Sequence, residues 1–566
     1  FIVEALDWLV IGVFFLALIG IIVWVVRQKQ NDSADYFLGG RDATWLAIGA
    51  SIFASNIGSE HLIGLAGAGA SSGMAMAHWE IQGWMILILG WVFVPFYTRS
   101  MVYTMPEFLE RRYNPQSRTI LSVISLVSYV LTKVAVTVYA GGLVFQQVFG
   151  IKELWGIDFF WIAAIGLVVL TALYTIFGGM KSVLYTSVLQ TPILLLGSLI
   201  ILVLGFKELG GWDEMMRVCG AVTVNDYDDT MTNLIRSNDD ANFPWLGALI
   251  GSAIIGFWYW CTDQFIVQRV LSGKNEMEAR RGTIFGAYLK LLPVFLFLIP
   301  GMIAFALHQK YIGAGGEGFL PMLANGTANA DAAFPTLVAK LLPAGVKGLV
   351  VCGILAALMS SLASLFNSSA MLFTIDFYKR FKPETPEKKL VGIGQIATIV
   401  IVVLGILWIP IMRSVGDVLY TYLQDVQSVL APGIAAAFLL GICWKRTSAQ
   451  GGMWGLISGM VIGLTRLGAK VYYSNAGEVA DSTFKYLFYD MNWLFFCGWM
   501  FLFCIIVVIV VSLATEAPTA EKIQGLVFGT ATKKQKAATR ASWNHWDIIH
   551  TVIILAITAA FYWYFW

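Results

Sequence analysis

The chain is 566 residues long, 58% hydrophobic and only 13% charged, where soluble domains run at roughly 45–50% apolar and about 25% charged. That balance excludes a soluble globular protein, and a formal net charge of +2 gives no reason to expect a nucleic-acid partner. The six cysteines (219, 261, 352, 443, 497 and 504) show no CxxC spacing and lie mostly in apolar segments, so they support neither a disulfide frame nor a metal centre.

Crossing a bilayer takes about 20 apolar residues. On that measure the sequence predicts an all-α integral membrane protein with fourteen spans, near 5–26, 45–71, 74–98, 119–149, 157–177, 183–206, 244–268, 281–308, 334–376, 391–411, 418–442, 451–472, 492–514 and 548–566. The first is expected to be a true span, since no small-residue cleavage site follows it. Alternate loops, counted from the first, hold 24 of the 37 Lys and Arg residues. Among them are Arg99, Arg111, Arg112 and Arg118, then Arg269, Lys274, Arg280 and Arg281, and later Lys522 with Lys533, Lys534, Lys536 and Arg540. The intervening stretch 207–243 is acidic. The positive-inside rule then places the basic loops in the cytoplasm, both termini outside, and the chain in the cell membrane.

The segment ASIFASNIGSEHLIGLAGAG (50–69) carries Asn56, Glu60 and His61 at its centre, with glycines at 58, 64, 67 and 69. Polar groups at membrane depth are costly and persist where they line a cavity or bind something. A helix broken there frees carbonyls and amides that lipid cannot satisfy and a bound ion or solute can. A second segment of this kind is GALIGSAIIGFWYWCTDQ (247–264), with glycines followed by Tyr259, Trp260, Asp263 and Gln264.

These two breaks suggest a division of the chain. Residues 1–44 form a peripheral helix and a cytoplasmic loop, and 45–206 a first unit of five helices. An outer loop, 207–243, leads to a second five-helix unit at 244–442. Three peripheral helices occupy 443–566, with a cytoplasmic linker at 515–546. Five crossings is an odd number, so the two units have opposite orientation. Broken helices at matching places in two inverted units point to the substrate site of a secondary transporter.

The segment LAALMSSLASLFNSS sets Ser360, Ser361 and Ser364 near one helical face, with Ala357 one turn earlier. Serines in membrane helices commonly serve close packing or bond back to their own helix. Beside a broken helix they can instead complete an oxygen shell for a hard cation such as sodium. For the solute the candidates are Asn56, His61, Glu80, Tyr259, Trp260, Lys290, Gln424 and Gln427, all polar or aromatic groups in predicted spans. Mixed donors and acceptors with a flat aromatic face suit a polyhydroxylated neutral solute. The structural alternatives are an interfacial or packing role for Tyr259 and Trp260, a structural Lys290–Glu80 pair, and a satisfied helix histidine at His61.

The chain resembles the sodium/glucose cotransporter family of the sodium:solute symporters. The likeness runs through FASNIGSEHLIGLAGAGASSG, YTMPEFLERRY, ALYTIFGGMKSVLYTSVLQT, WYWCTDQFIVQRVLSGKN, AYLKLLPVFLFLIPGMIAF, LMSSLASLFNSSAMLFTIDFY and FLLGICWKR. It implies a LeuT-like core, a five-plus-five inverted repeat with two discontinuous helices. It also implies a sodium site at Ala54, Ile57, Ala357, Ser360 and Ser361, and sugar contacts at Asn56, His61, Glu80, Tyr259, Trp260, Lys290 and Gln424, with the tyrosine closing the inner exit. Two positions depart from the family pattern. Ser187 stands where an aspartate tied to a second cation site is common, which implies one sodium ion. Gly256 stands where sugar-transporting relatives can carry a larger polar residue.

The expected function is sodium-coupled import of a monosaccharide. The alternatives are another polyhydroxylated solute such as myo-inositol and a sodium-independent facilitator. The expected partners are the sugar, sodium and the lipid bilayer, with no obligatory protein partner evident. Five scattered histidines (61, 78, 308, 545 and 550) give no catalytic cluster, so no enzyme is expected.

Overall fold

Inside a bilayer a backbone amide finds no water, so the apolar runs of this chain satisfy their hydrogen bonds within helices. The computed structural model describes residues 4–28, 32–58, 60–322 and 326–566, leaving aside some helical side chains, among them those of 408–426. Among these residues the only paired strands are the two-residue Glu153–Leu154 and Ile157–Asp158. Nine helical segments among the described residues are long and apolar enough to cross a bilayer.

The excess of fourteen expected spans over nine has local causes. Helix Phe159–Leu209 has 51 residues, about 77 Å at 1.5 Å per residue, more than twice the ~30 Å hydrocarbon core. It is broken at Gly179, whose backbone sits at φ 60°, ψ −148°. The turn expected between residues 177 and 183 is therefore reduced to one strained residue. Only glycine serves there, since a Cβ would lie 2.3 Å from the Tyr36 carbonyl oxygen. Similarly, Glu387–Cys443 is a single helical stretch of 57 residues where two spans are expected. The first broken segment divides into pieces each too short to cross alone, the longest being Trp45–Asn56.

The long span expected at 334–376 is two helices, Ala333–Leu341 and Val346–Met371, the second continued by a wider turn over Leu372–Lys379. Leu342 is extended because Pro343 follows it, and Gly345 at φ 85° opens the second helix. The boundary was hidden because the residues around it are apolar.

Several charges of the basic segments are buried. Arg112, Arg269 and Arg280, expected in cytoplasmic loops, are at most 1% exposed. Arg112 caps the end of Glu387–Cys443, donating from Nε to the Gly441 carbonyl at 2.7 Å.

The helix Ala66–Ser71 that follows the first break lies against Ile299–Gly313 at backbone contact. A Cβ on Gly69 would fall 2.3 Å from the Leu298 carbonyl oxygen, and one on Gly301 would fall 2.0 Å from that of Ala66. Reciprocal glycines of this kind let membrane helices approach closely and gain packing contacts. Gly301→Val is expected to force the pair apart at a cost of about 1–3 kcal/mol. The detergent-solubilised protein should then unfold several degrees lower, and an unchanged midpoint would show that the contact is not tight.

Candidate functional site

The first break begins where Trp45–Asn56 ends. Ile57 is extended at φ −76°, ψ 116°, and the chain resumes as a wide helical turn over Glu60–Leu65. The break leaves carbonyls without the usual partner one turn on, and the helix Val346–Met371 supplies substitutes. Ser360 Oγ lies 2.5 Å from the Ala54 carbonyl oxygen and 3.1 Å from that of Ala357. Ser361 Oγ lies 2.7 Å from the Ile57 carbonyl oxygen and 3.0 Å from that of Ser55. All five residues expected around a cation thus come together, fully buried.

A neutral cluster of carbonyl and hydroxyl oxygens suits sodium, since rotating two hydroxyls would turn their lone pairs to the ion without a buried anion. The helices can meet because residue 58 is glycine: a Cβ there would lie 3.0 Å from Ser361 Oγ.

Ser55 was not among the expected residues, though it follows Ala54 directly. Its hydroxyl bonds Ser364 Oγ and receives Arg269 Nε at 3.4 Å. Arg269 lies on Gln264–Leu271, just past the second break, and its Nη2 has no partner among the described residues. No local signal separated it from the basic loop that follows.

A polar cavity of about 140 Å³ adjoins this cluster. Asn56, His61, Glu80, Tyr259, Trp260, Lys290 and Gln427 all line it, with Ser361 at the side shared with the oxygen cluster. The Gln424 side chain lies outside the described residues.

The polar groups form one connected chain. Gly58 N donates to His61 Nδ1 at 3.5 Å, which leaves His61 Nε2 as the donor to Glu80 Oε2 at 3.1 Å. Lys290 Nζ donates to the same Glu80 oxygen at 2.8 Å and to Asn56 Oδ1 at 2.8 Å. Asn56 Nδ2 then donates to the Tyr259 hydroxyl at 3.2 Å. The Lys290–Glu80 pair weighed above as a structural alternative exists, and both members also face the cavity.

Trp260 sits differently from the other candidates. Its Nε1 donates to Gln82 Oε1 at 3.1 Å, and Gln82 in turn donates to the Ser252 carbonyl at 2.9 Å. Its contribution to the cavity is a ring face, with Lys290 Nζ 5.2 Å from a ring centroid. Gln82 fits because residue 256 is glycine: a Cβ there would come within 2.8 Å of its amide nitrogen.

Lys133 also lines the cavity and had not been singled out. It pairs with Asp263 at 3.1 Å and lies 4.9–5.3 Å from the ring centres of Tyr129, Trp258, Tyr259 and Phe265. Tyr129 donates to the other Asp263 oxygen. An ionisable residue inside a predicted span was the available signal for Lys133.

The sequence profile of the sodium:solute symporter family matches residues 36–459. The chain is 37% identical over 541 residues to sodium/myo-inositol cotransporter 2 of Homo sapiens, a match covering 93% of this chain and 79% of that protein. It is 36% identical over 539 residues to sodium/glucose cotransporter 4 of Danio rerio, covering 92% and 80%. Its backbone is similar to that of a Na+-coupled sialic acid symporter solved in a substrate-bound outward-open state, with a TM-score of 0.73 at 22% identity over 91% of this chain and 99% of that one. On the profile match and on relatives that share over a third of its residues along nearly its whole length, the chain belongs to the sodium:solute symporter family and is a sodium-coupled membrane transporter, not an enzyme.

Proposed function

We propose that the protein carries a monosaccharide of the glucose or galactose type into the cell with one sodium ion, by alternating access. The observation that supports this most is the bonded chain from Gly58 through His61, Glu80, Lys290 and Asn56 to Tyr259. It alternates donors and acceptors, carries one paired negative and positive charge, and has an indole face beside it, as recognition of a neutral polyhydroxylated ring requires. On this reading Asn56, His61, Glu80, Tyr259, Trp260, Lys290, Gln424 and Gln427 contact the solute. Ala54, Ile57, Ala357, Ser360 and Ser361 hold the sodium ion.

The scaffold is read as fourteen crossings around two inverted five-helix units, 45–206 and 244–442, with a break in each lead helix. That reading is supported by the interruption at Ile57 and by the extended Asp263 that follows the wide turn Trp258–Thr262. Peripheral segments 1–44 and 443–566 flank the core, 207–243 lies outside, and 515–546 links the last helices in the cytoplasm. The cell membrane is the assigned location, with both termini outside.

A second reading has its own support: the solute is myo-inositol or another polyol. Sodium/myo-inositol cotransporters are among the relatives at 36–37% identity, and beside Gly256 the cavity wall is completed by the amide of Gln82.

Sodium binding would hold the first break against Val346–Met371, ordering the solute groups attached to the same turn. One sodium ion falling through ~100 mV releases about 2.3 kcal/mol, and a tenfold gradient adds about 1.4 kcal/mol. Together, roughly 3.7 kcal/mol sustains a solute gradient of several hundredfold, so a single ion suffices for accumulation.

Uptake of labelled glucose, galactose and myo-inositol into proteoliposomes, with and without a sodium gradient, tests the function. Sodium-driven accumulation of a hexose is expected. Preference for myo-inositol selects the second reading, and equal uptake without sodium overturns coupling.

In the same assay Ser361→Ala should raise the sodium concentration for half-maximal uptake at least tenfold, about 1.4 kcal/mol. Glu80→Gln should weaken the solute at least tenfold while moving sodium far less. Equal effects of both variants on both ligands would refute the division of roles.

Stoichiometry is a separate test. Ser187 Oγ donates to the Val183 carbonyl of its own helix at 2.7 Å, so this position offers a spent hydroxyl where a second site would use a carboxylate. The accumulation ratio plotted against the sodium electrochemical potential should have the slope of one ion per solute. A slope of two would overturn the inference from Ser187.

A further inference from the structure

A second polar cleft, of about 350 Å³, lies on the face that carries the basic loops. Arg99 at the end of helix Val94–Ser100 and Arg111 on helix Met105–Arg112 form one wall. The other wall comes from the 515–546 linker: Glu521 and Lys522 on Ala520–Ile523, and Gln535 on Lys533–Ala541.

The cations here are only partly committed. Arg99 Nη2 donates to Thr539 Oγ1 at 2.7 Å, and Lys522 Nζ donates to the Glu110 carbonyl at 3.2 Å. Among the described residues neither makes an ion pair, while Arg111 is engaged at both ends of its fork, pairing with Glu107 at 3.3 Å and donating to the Ser100 carbonyl. Gln535 accepts from Thr532 N through its Oε1 at 2.9 Å, which leaves its amide hydrogens to the cleft. Setting Glu521 and the Glu107 partner of Arg111 against Arg99, Arg111 and Lys522 leaves one net positive charge at the cleft.

We propose that this cleft binds a phosphate monoester, and that the bound group clamps the linker onto the ends of the two helices. A monoester carries close to two negative charges at neutral pH and three acceptor oxygens. The Arg99 guanidinium, the Lys522 ammonium and the Gln535 amide supply donors of matching sign, with Arg111 held beside them by Glu107 and Ser100. The shared chemistry is found in a soluble phosphorylated metabolite and in an anionic lipid headgroup. Arg99 ends an apolar span, which puts the cleft at headgroup level.

Without a ligand the linker is held to the core nearby by the Phe96–Phe528 edge contact at 5.1 Å and by Phe528 N donating to the Ile442 carbonyl at 3.0 Å. A phosphate would add an ionic tie between elements otherwise joined by the Phe528 contacts and by the single hydrogen bonds of Arg99 and Lys522. The linker's docking thereby becomes sensitive to a phosphorylated ligand, separately from sodium and solute.

The full chain in detergent is titrated at low salt with glycerol phosphate, a soluble monoester, and with short-chain phosphatidic acid, a lipid monoester. Short-chain phosphatidylglycerol, a diester, is the control, and the thermal unfolding midpoint is the readout. The midpoint is expected to rise by roughly 2 °C or more with at least one monoester, and to stay within error of the starting value with the diester. A shift with glycerol phosphate identifies the free phosphate group as sufficient. A shift with phosphatidic acid alone identifies a lipid headgroup. The double variant Arg111→Gln, Lys522→Gln should lose the shift, and Lys534→Gln, outside the cleft on the same linker, should keep it.

No shift with either monoester overturns the proposal, as does an equal shift with phosphatidylglycerol or an undiminished shift in the double variant. Should the double variant fail to fold, Gln535→Ala decides: a weakening of about threefold or more in the monoester concentration at half-maximal shift supports the site, and an unchanged value overturns it.

Discussion

A carbonyl freed at membrane depth must find a donor or a cation, because lipid offers neither. The carbonyls of Ala54, Ser55 and Ile57 find theirs in Ser360 and Ser361 of a helix some 300 positions along the chain. That requirement positions much of the centre. It draws Val346–Met371 against the break closely enough that a Cβ on residue 58 would sit 3.0 Å from Ser361 Oγ. The turn beyond the break then aims His61 at Glu80 through the Gly58 amide. The glycines at 69 and 301 hold the outgoing helix at a fixed spacing. The break is thus a place where two helices complete each other's backbone.

Charge follows the same logic. Isolated ions in low dielectric are costly, and removing one member of a buried pair costs about 3–5 kcal/mol. Buried ionisable groups accordingly come in pairs: Lys290 with Glu80 and Lys133 with Asp263 at the cavity, and Arg118 with Asp376 at 2.9 Å away from it. Arg269 departs from this, with a serine hydroxyl, the sulfur of Met180 and a ring face at 6.0 Å as its surroundings. A positive charge held that near the oxygen cluster would oppose a second cation beside the first. On the proposed reading this agrees with a neutral hydroxyl at Ser187.

Much of this was legible in the sequence because membrane depth makes polar residues conspicuous. Asn56, His61, Glu80, Lys290 and the serines at 360 and 361 stood out against apolar surroundings, and they do converge. Other features were hidden for identifiable reasons. Pro343 and Gly345 divide a run that hydropathy reads as continuous. The break expected between 177 and 183 is present, but it is compressed into the single residue Gly179. Arg269 follows the second break so closely that its charge was counted with the basic loop, although it is wholly buried. Gln82 has no motif of its own; its role arises from Trp260 and from the space at Gly256, positions far apart in the chain. Hydropathy records depth and says little about which partner a buried group meets.

The proposed coupling needs no long pathway. Sodium at the oxygen cluster would fix the carbonyls of Ala54 and Ile57, and Asn56 between them offers its side chain to Lys290 and Tyr259. Movement of that single turn alters both sites. Linkage then requires that the solute strengthen sodium binding by the same factor as sodium strengthens solute binding. A turn whose backbone belongs to one ligand and whose side chains belong to the other meets that requirement locally. The Ser360 and Ser361 hydroxyls add a condition of their own. They donate to the carbonyls of Ala54 and Ile57, the ones that would ligate sodium on the proposed reading. Sodium binding there would compete with that hydrogen-bonded arrangement, and its net affinity would be lowered by what those bonds contribute. A transporter benefits from that moderation, because an ion held too firmly at the centre would be slow to leave on the inner side.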